Sequence, residues 1–113
     1  MKREGNSAKH CELIRKLPCL VTGYAPAGTI HHLKSGPARI ERGIGMKATD
    51  RWGVPLCFQA HILGVETVGS KRELEWFQDR GIEDPYDVAK RLWEASPHFE
   101  NMQDIVFKAL LGA

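Results

Sequence analysis

Apolar residues recur at helical spacing near the start of the chain and through its second half, and the region between is built of short β-prone runs. Ser7 sits where it can cap a helix over "AKHCELIRKL", with Cys11, Ile14 and Leu17 near one face and Pro18 as the stop. Ser70 and Glu73 form an S-x-x-E capping box, which predicts a helix carrying Leu74 and Phe77 on a shared face and stopping at Gly81. Asp84 and Pro85 are an N-cap and first-turn pair before the stripe Val88, Ala89, Leu92 and Trp93. Ser96 and Pro97 repeat that start signal ahead of Met102, Ile105, Val106, Ala109 and Leu110, a buried-face pattern that ends at Gly112.

Between these helices, "CLVTGY" and "GTIHHL" predict an irregular, hairpin-like strand pair, and "WGVPLC" a further short strand. "FQAHILGVE" begins with helix-forming character and is interrupted by Gly64. The stretch "KSGPARIERGIGMKATDR" suits a mobile basic loop, and residues 1–6 a polar, poorly ordered start.

A length of 113 residues, 42% hydrophobic and 27% charged, suits a single globular domain over 1–113, with a core part at about 17–68 and a helical part at about 70–112. No apolar run approaches the roughly 20 residues that span a bilayer, and the charged start lacks a signal-peptide core, so a cytoplasmic protein is the expectation. Cys11, Cys19 and Cys57 are too few for a disulfide framework. The net charge of +2 hides an asymmetry: residues 1–51 carry ten Lys/Arg against four Asp/Glu (+6), and residues 52–113 six against ten (−4). A basic half points towards a polyanion, although a basic loop is also an ordinary solvated surface.

Adjacent residues on a strand point to opposite faces, so His31 and His32 can do different work. With Asp50 before the later strand and His61 and Glu66 after it, His31 can serve a divalent cation while a neutral His32 accepts a proton from water. Imidazole and carboxylate together suit Mn²⁺, Mg²⁺ or Zn²⁺. Glu66 is equally readable as a ligand or as a solvent-facing side chain. The His61 to Glu66 interval exceeds the three or four residues that stack on an α-helix, so convergence needs a broken or extended segment. His10, on a charged helix, and His98, beside a helix start, are read as surface residues. Among the tryptophans, Trp52, Trp76 and Trp93 can stack on bases, the latter two fitting core positions better.

The ordered set Pro-Cys, His-His, Gly-x-x-x-Lys-x-x-Asp and Val-Pro-Leu-Cys, in "LPCLVTG", "TIHHL" and "GIGMKATDRWGVPLC", followed by "VETVG" and "WFQDRGIEDPYDVAKRLWEAS", resembles the small phage and prophage HNH-type nucleases. These have a ββα-metal, or His-Me finger, core. The resemblance covers about Leu17 to Ser96 and implies an α+β fold: a short two-stranded β-hairpin and helix with further helices at both ends. It implies His31 and His61 as metal ligands, with Glu66 where relatives commonly place a histidine, His32 as general base and Asp50 as its orienting partner. The implied reaction is metal-dependent hydrolysis of DNA phosphodiester bonds with limited sequence specificity, using one Mg²⁺ or Mn²⁺, with Zn²⁺ or Ni²⁺ as alternatives. Lys34, Arg39, Arg42, Lys47 and Arg51 flank the site as candidate DNA contacts.

Two C-x-x-C pairs hold a structural zinc in many members of that family. Here the stretches read Cys19-Leu-Val-Thr22 and Cys57-Phe-Gln-Ala60, so no structural zinc is expected, and Cys19 and Cys57 are read as neighbouring buried residues. The departures at Thr22, Ala60 and Glu66 leave a second reading open, a catalytically silent DNA- or protein-binding module. A third is a nuclease subunit that needs a recombination or replication partner. A homodimer through the last helix is also open.

Overall fold

The computed structural model describes residues 5–42 and 48–112. Strands β1 (Thr29–His32) and β2 (Gly53–Leu56) pair antiparallel, Thr29 opposite Leu56 and His32 opposite Gly53. With them are six helical elements: α1 (Ala8–Lys16), α2 (Gly36–Arg42), α3 (58–68), α4 (Glu73–Asp79), α5 (Pro85–Ala95) and α6 (Phe99–Leu110). The fold is α+β, its order α-β-α-β followed by four helices. Among the described residues no helix is long and apolar enough to cross a membrane.

Local chemistry explains the elements that match the hydrophobic pattern. Ser7 caps α1 by accepting from the His10 N–H at 3.1 Å, and Asp84 caps α5 by accepting from the Asp87 N–H at 3.0 Å with Pro85 behind it. In α6, Met102 and Val106 are buried while Ile105, Ala109 and Leu110 pack beside them. The core is one cluster. Ile14 and Leu17 of the first helical region, Leu33, Val54 and Leu56 around the sheet, Phe77, Leu92 and Met102 from the later helices all meet in it.

Several expectations are corrected. "CLVTGY" forms a turn, closed by Gly23 N–H on the Cys19 carbonyl and Cys19 N–H on the Tyr24 carbonyl, both at 2.8 Å, so β1 pairs with "GVPL" across a long connection instead. That connection is partly helical. Gly36–Arg42 forms α2 because Ala38 is buried and Glu41 accepts from Thr49 Oγ1 at 2.9 Å and Trp52 Nε1 at 2.7 Å; residues 43–47 of the expected mobile loop lie outside the described residues. Of the expected loose start, residues 1–4 lie outside the described part. Gly5 and Asn6 are held: the Gly5 carbonyl accepts from Arg51 N–H and Asn6 Oδ1 from Asp50 N–H, each at 3.0 Å.

Ser70 caps nothing, since Ser70–Arg72 is a separate helical turn and α4 begins at Glu73, whose carboxylate points into the core. Trp76 and Phe77 share its buried face, and Leu74 is half-buried. The Ser96-Pro97 signal falls short of the last helix, which starts at Phe99 after His98. His98 is exposed, but His10 is not. It is 2% exposed because Trp93 of α5 covers it edge to face, ring centroids 4.8 Å apart. Cys19 is buried as expected; Cys57 is half-buried, its sulfur 4.0 Å from the Thr22 hydroxyl.

Candidate functional site

The pleat of β1 sends His31 and His32 to different surroundings. His31 faces α3 and α4 and is 1% exposed; its Nε2 lies 2.8 Å from Glu73 Oε2. Glu73 also accepts from the Lys34 and Ser35 N–H groups and, at 2.6 Å, from the Ser35 hydroxyl, itself 2.6 Å from the Tyr86 hydroxyl. Burial raises the carboxyl's pKa, but the hydrogen bonds from His31, Ser35 and Lys34 outweigh it and hold Glu73 below its ordinary value. An ionised Glu73 can only accept, so His31 carries its proton on Nε2 and presents the lone pair of Nδ1. That buried Nδ1 has no hydrogen-bond partner.

His61 reaches the same point from α3. Its Nδ1 lies 3.0 Å from Thr29 Oγ1, whose single hydrogen is used on the Leu56 carbonyl. Thr29 therefore accepts, Nδ1 carries the proton, and Nε2 presents the second lone pair. Burial lowers the His61 pKa against the pull of Glu66 and favours the neutral ring. Glu66 completes the group. Its Oε1 lies 3.4 Å from His31 Nδ1 and 3.3 Å from His61 Nε2, while Oε2 is in contact with Lys34 Nζ. Burial raises the Glu66 pKa, but the hydrogen bond from Lys34 and its charge bring it below the ordinary value.

The unusual His61 to Glu66 interval is met by a change of helix type. Phe58–Ala60 and Glu66–Val68 are α-helical, but His61–Val65 between them is one π-helical turn, and the Glu66 N–H donates to the His61 carbonyl. This i to i+5 bond sets residues 61 and 66 on one face, where a regular α-helix would splay them. Gly64 permits it, since a Cβ there would lie 2.8 Å from the Trp76 ring and 3.2 Å from the Gln59 carbonyl.

On the other side of β1, His32 is one-third exposed and its Nε2 lies 2.9 Å from Asp50 Oδ1. Asp50 Oδ2 accepts from the Ser7 N–H at 2.9 Å. Burial raises the Asp50 pKa, yet the hydrogen bonds from His32, Ser7 and Cys11 dominate and keep it below the ordinary value. His32 thus donates from Nε2, so in the neutral ring Nδ1 is the nitrogen left to accept a proton, as a general base requires. Cys11 stands beside this pair within ligand-to-ligand distance, but burial, then Asp50, pushes its thiol up to about 11. A protonated thiol and a carboxylate already receiving three donors make an orienting network and a poor cation site.

By contrast, the donor atoms of His31, His61 and Glu66 all lie within 4.8 Å of one another, and in the tautomers that Glu73 and Thr29 favour both neutral rings turn a lone pair to this point. Two imidazole lone pairs and a carboxylate oxygen converging at a partly buried point repel one another unless a cation lies between them, so this group fits a divalent metal ion.

The candidate DNA contacts are placed unequally. Arg39 is exposed on α2. Lys34 pairs with Glu66, and Arg51 lies 3.7 Å from Glu41 Oε2. Arg42 ends α2, and Lys47 lies outside the described residues. Thr29 and Glu73 were not singled out from the sequence, yet both carried a signal: Thr29 shares the strand face of His31, and Glu73 is in phase with Trp76 and Phe77. Comparison of the chain with protein-family models, curated proteins and solved structures finds no match.

Proposed function

We propose that the protein is a metal-dependent phosphodiesterase acting on DNA, an endonuclease with limited sequence specificity and an HNH-like ββα core. The observation that carries this reading is the convergence of His31 Nδ1, His61 Nε2 and Glu66 Oε1 on one side of a strand whose next residue, His32, is held by Asp50 in the proton-accepting tautomer. A divalent ion held by His31, His61 and Glu66 would supply charge stabilisation for the scissile phosphate and the departing oxygen. Two nitrogens and one oxygen favour Mn²⁺, Zn²⁺ or Ni²⁺ over Mg²⁺.

The chain's own residues supply the rest. His32 Nδ1 takes a proton from the attacking water while its Nε2–H stays on Asp50, whose carboxylate stabilises the imidazolium that results. Glu73 and Thr29 hold the ligand histidines in their tautomers before substrate arrives. Lys34, two residues after His32, and Arg39, exposed on α2, are described cations that can meet backbone phosphates.

Supercoiled plasmid, incubated with the purified protein in EDTA or with Mg²⁺, Mn²⁺, Ni²⁺ or Zn²⁺, tests the reading beside His32→Ala. Metal-dependent nicking that disappears in the folded variant is expected. Absence of nicking with every metal would favour the silent binding module, and unchanged nicking in His32→Ala would remove His32 as the base.

A further inference from the structure

Beside the Asp50 end of the site is a cavity of about 340 Å³ lined by Arg51, Trp52, Lys90, Trp93 and Glu94. It belongs to the same region as His32: Asp50, Arg51 and Trp52 form one helical turn, and the Trp52 carbonyl accepts from Leu33 N–H, the residue after His32, at 3.0 Å. Its two tryptophans differ from the third. Trp76 is 6% exposed, with Arg80 over its ring at 4.0 Å, whereas Trp52 and Trp93 are only half-buried and share the cavity.

The walls are also braced. Trp52 Nε1 donates to Glu41 Oε2 at 2.7 Å, His10 backs Trp93, and the Arg51 guanidinium lies 6.0 Å from the Trp93 ring centroid. The buried Arg51 Nε has no hydrogen-bond partner among the described residues. Lys90 and Glu94, both exposed, put a cation and a carboxylate at the rim.

We infer that this cavity receives one unpaired nucleobase of the DNA substrate, next to the phosphate presented to His32. The inference deepens the nuclease reading and rests on it. Indole rings supply a stacking surface that every base can use. Arg51 and Lys90 meet the adjoining phosphates, and Glu94 can accept from an exocyclic amino group. Bases within a duplex already stack on one another and leave no face for an indole, so the preferred substrate has a single-stranded, flapped or mismatched nucleotide at the cut. Opening a duplex costs a few kcal/mol, which such substrates avoid.

Tryptophan emission provides the test, read in EDTA so that no turnover occurs. A single-stranded oligonucleotide should quench the unaltered protein saturably, and a strand of equal length made entirely of abasic nucleotides should bind about tenfold more weakly without quenching. In the Trp52→Phe/Trp93→Phe double variant, whose emission comes from Trp76, quenching should vanish. Equal affinity for the abasic strand, or quenching that survives in the double variant, would overturn the inference. The phosphodiesterase reading is checked separately by turnover of bis(p-nitrophenyl) phosphate, which has no base, by the unaltered protein with Mn²⁺. Quenching without that turnover would leave the base site standing and remove the nuclease. Turnover without quenching would do the reverse.

Discussion

His31 and His32 are neighbours of the same residue type on one strand, and their surroundings prepare them for different chemistry. His31 is almost wholly buried, tied through Nε2 to a carboxylate 42 positions later, and its free nitrogen faces another histidine and a glutamate. His32 is one-third exposed, tied through Nε2 to a carboxylate 18 positions later, with the Cys11 thiol beside that carboxylate. Both carboxylates fix a tautomer. The difference lies beyond the second nitrogen, where one ring meets further lone pairs and the other does not. The pleat separates the two environments within one dipeptide, and elements distant in sequence complete each.

The comparison can be broken most severely at the rings themselves. His32→Ala should reduce cleavage by about 10²–10⁴-fold while leaving metal affinity within a few-fold, and His61→Ala should lose both, as seen by calorimetric metal titration beside plasmid nicking. A third histidine, buried like His31, sharpens it. His10 has neither a carboxylate bond nor a metal face, and burial lowers its pKa from 6.5 to about 4 against the pull of Asp50. The unfolded chain therefore binds the extra proton between those values, and stability should fall by about 3 kcal/mol as pH drops from above 6.5 to about 4. Urea melts in EDTA should show that part of the slope missing in His10→Leu.

Weaker effects probe the supports. Glu73→Gln should lower metal affinity by about 10–100-fold, because the amide can donate to His31 Nε2 and release the wrong tautomer. Thr29→Val, which removes the acceptor for His61 Nδ1–H together with the hydroxyl's bond to the Leu56 carbonyl, should cost about tenfold in the same titration. An unchanged affinity in both variants would mean that the tautomers are set by something other than these partners.

Much of this arrangement was legible before any coordinates. Ser7, Asp84 and Pro85 act within one helical turn, and their effects match the pattern they predict. The alternation of faces at His31 and His32 follows from strand geometry, and the structure brings Asp50 to His32 and His61 to His31. Glu73 was misread for a physical reason: an acid three residues after a serine satisfies a local capping rule, and nothing local shows that β1 will bring a buried imidazole to it. Its phase with Trp76 and Phe77 was the available signal. The reach of Glu66 was hidden because the π-helical turn depends on Trp76 pressing on Gly64, a contact between separate elements. His10 was misplaced because Trp93, which covers it, comes from a helix beginning 75 positions later, at Pro85.

The most direct measurement is metal binding itself, followed by calorimetry with Mn²⁺ and Zn²⁺ for the unaltered protein, His61→Ala and His32→Ala, with folding checked by circular dichroism. One ion per chain in the unaltered protein and in His32→Ala, lost in His61→Ala, is the expected result. A folded, unaltered protein that binds no ion, or an affinity that collapses in His32→Ala and survives in His61→Ala, would contradict the division of labour between the two adjacent histidines.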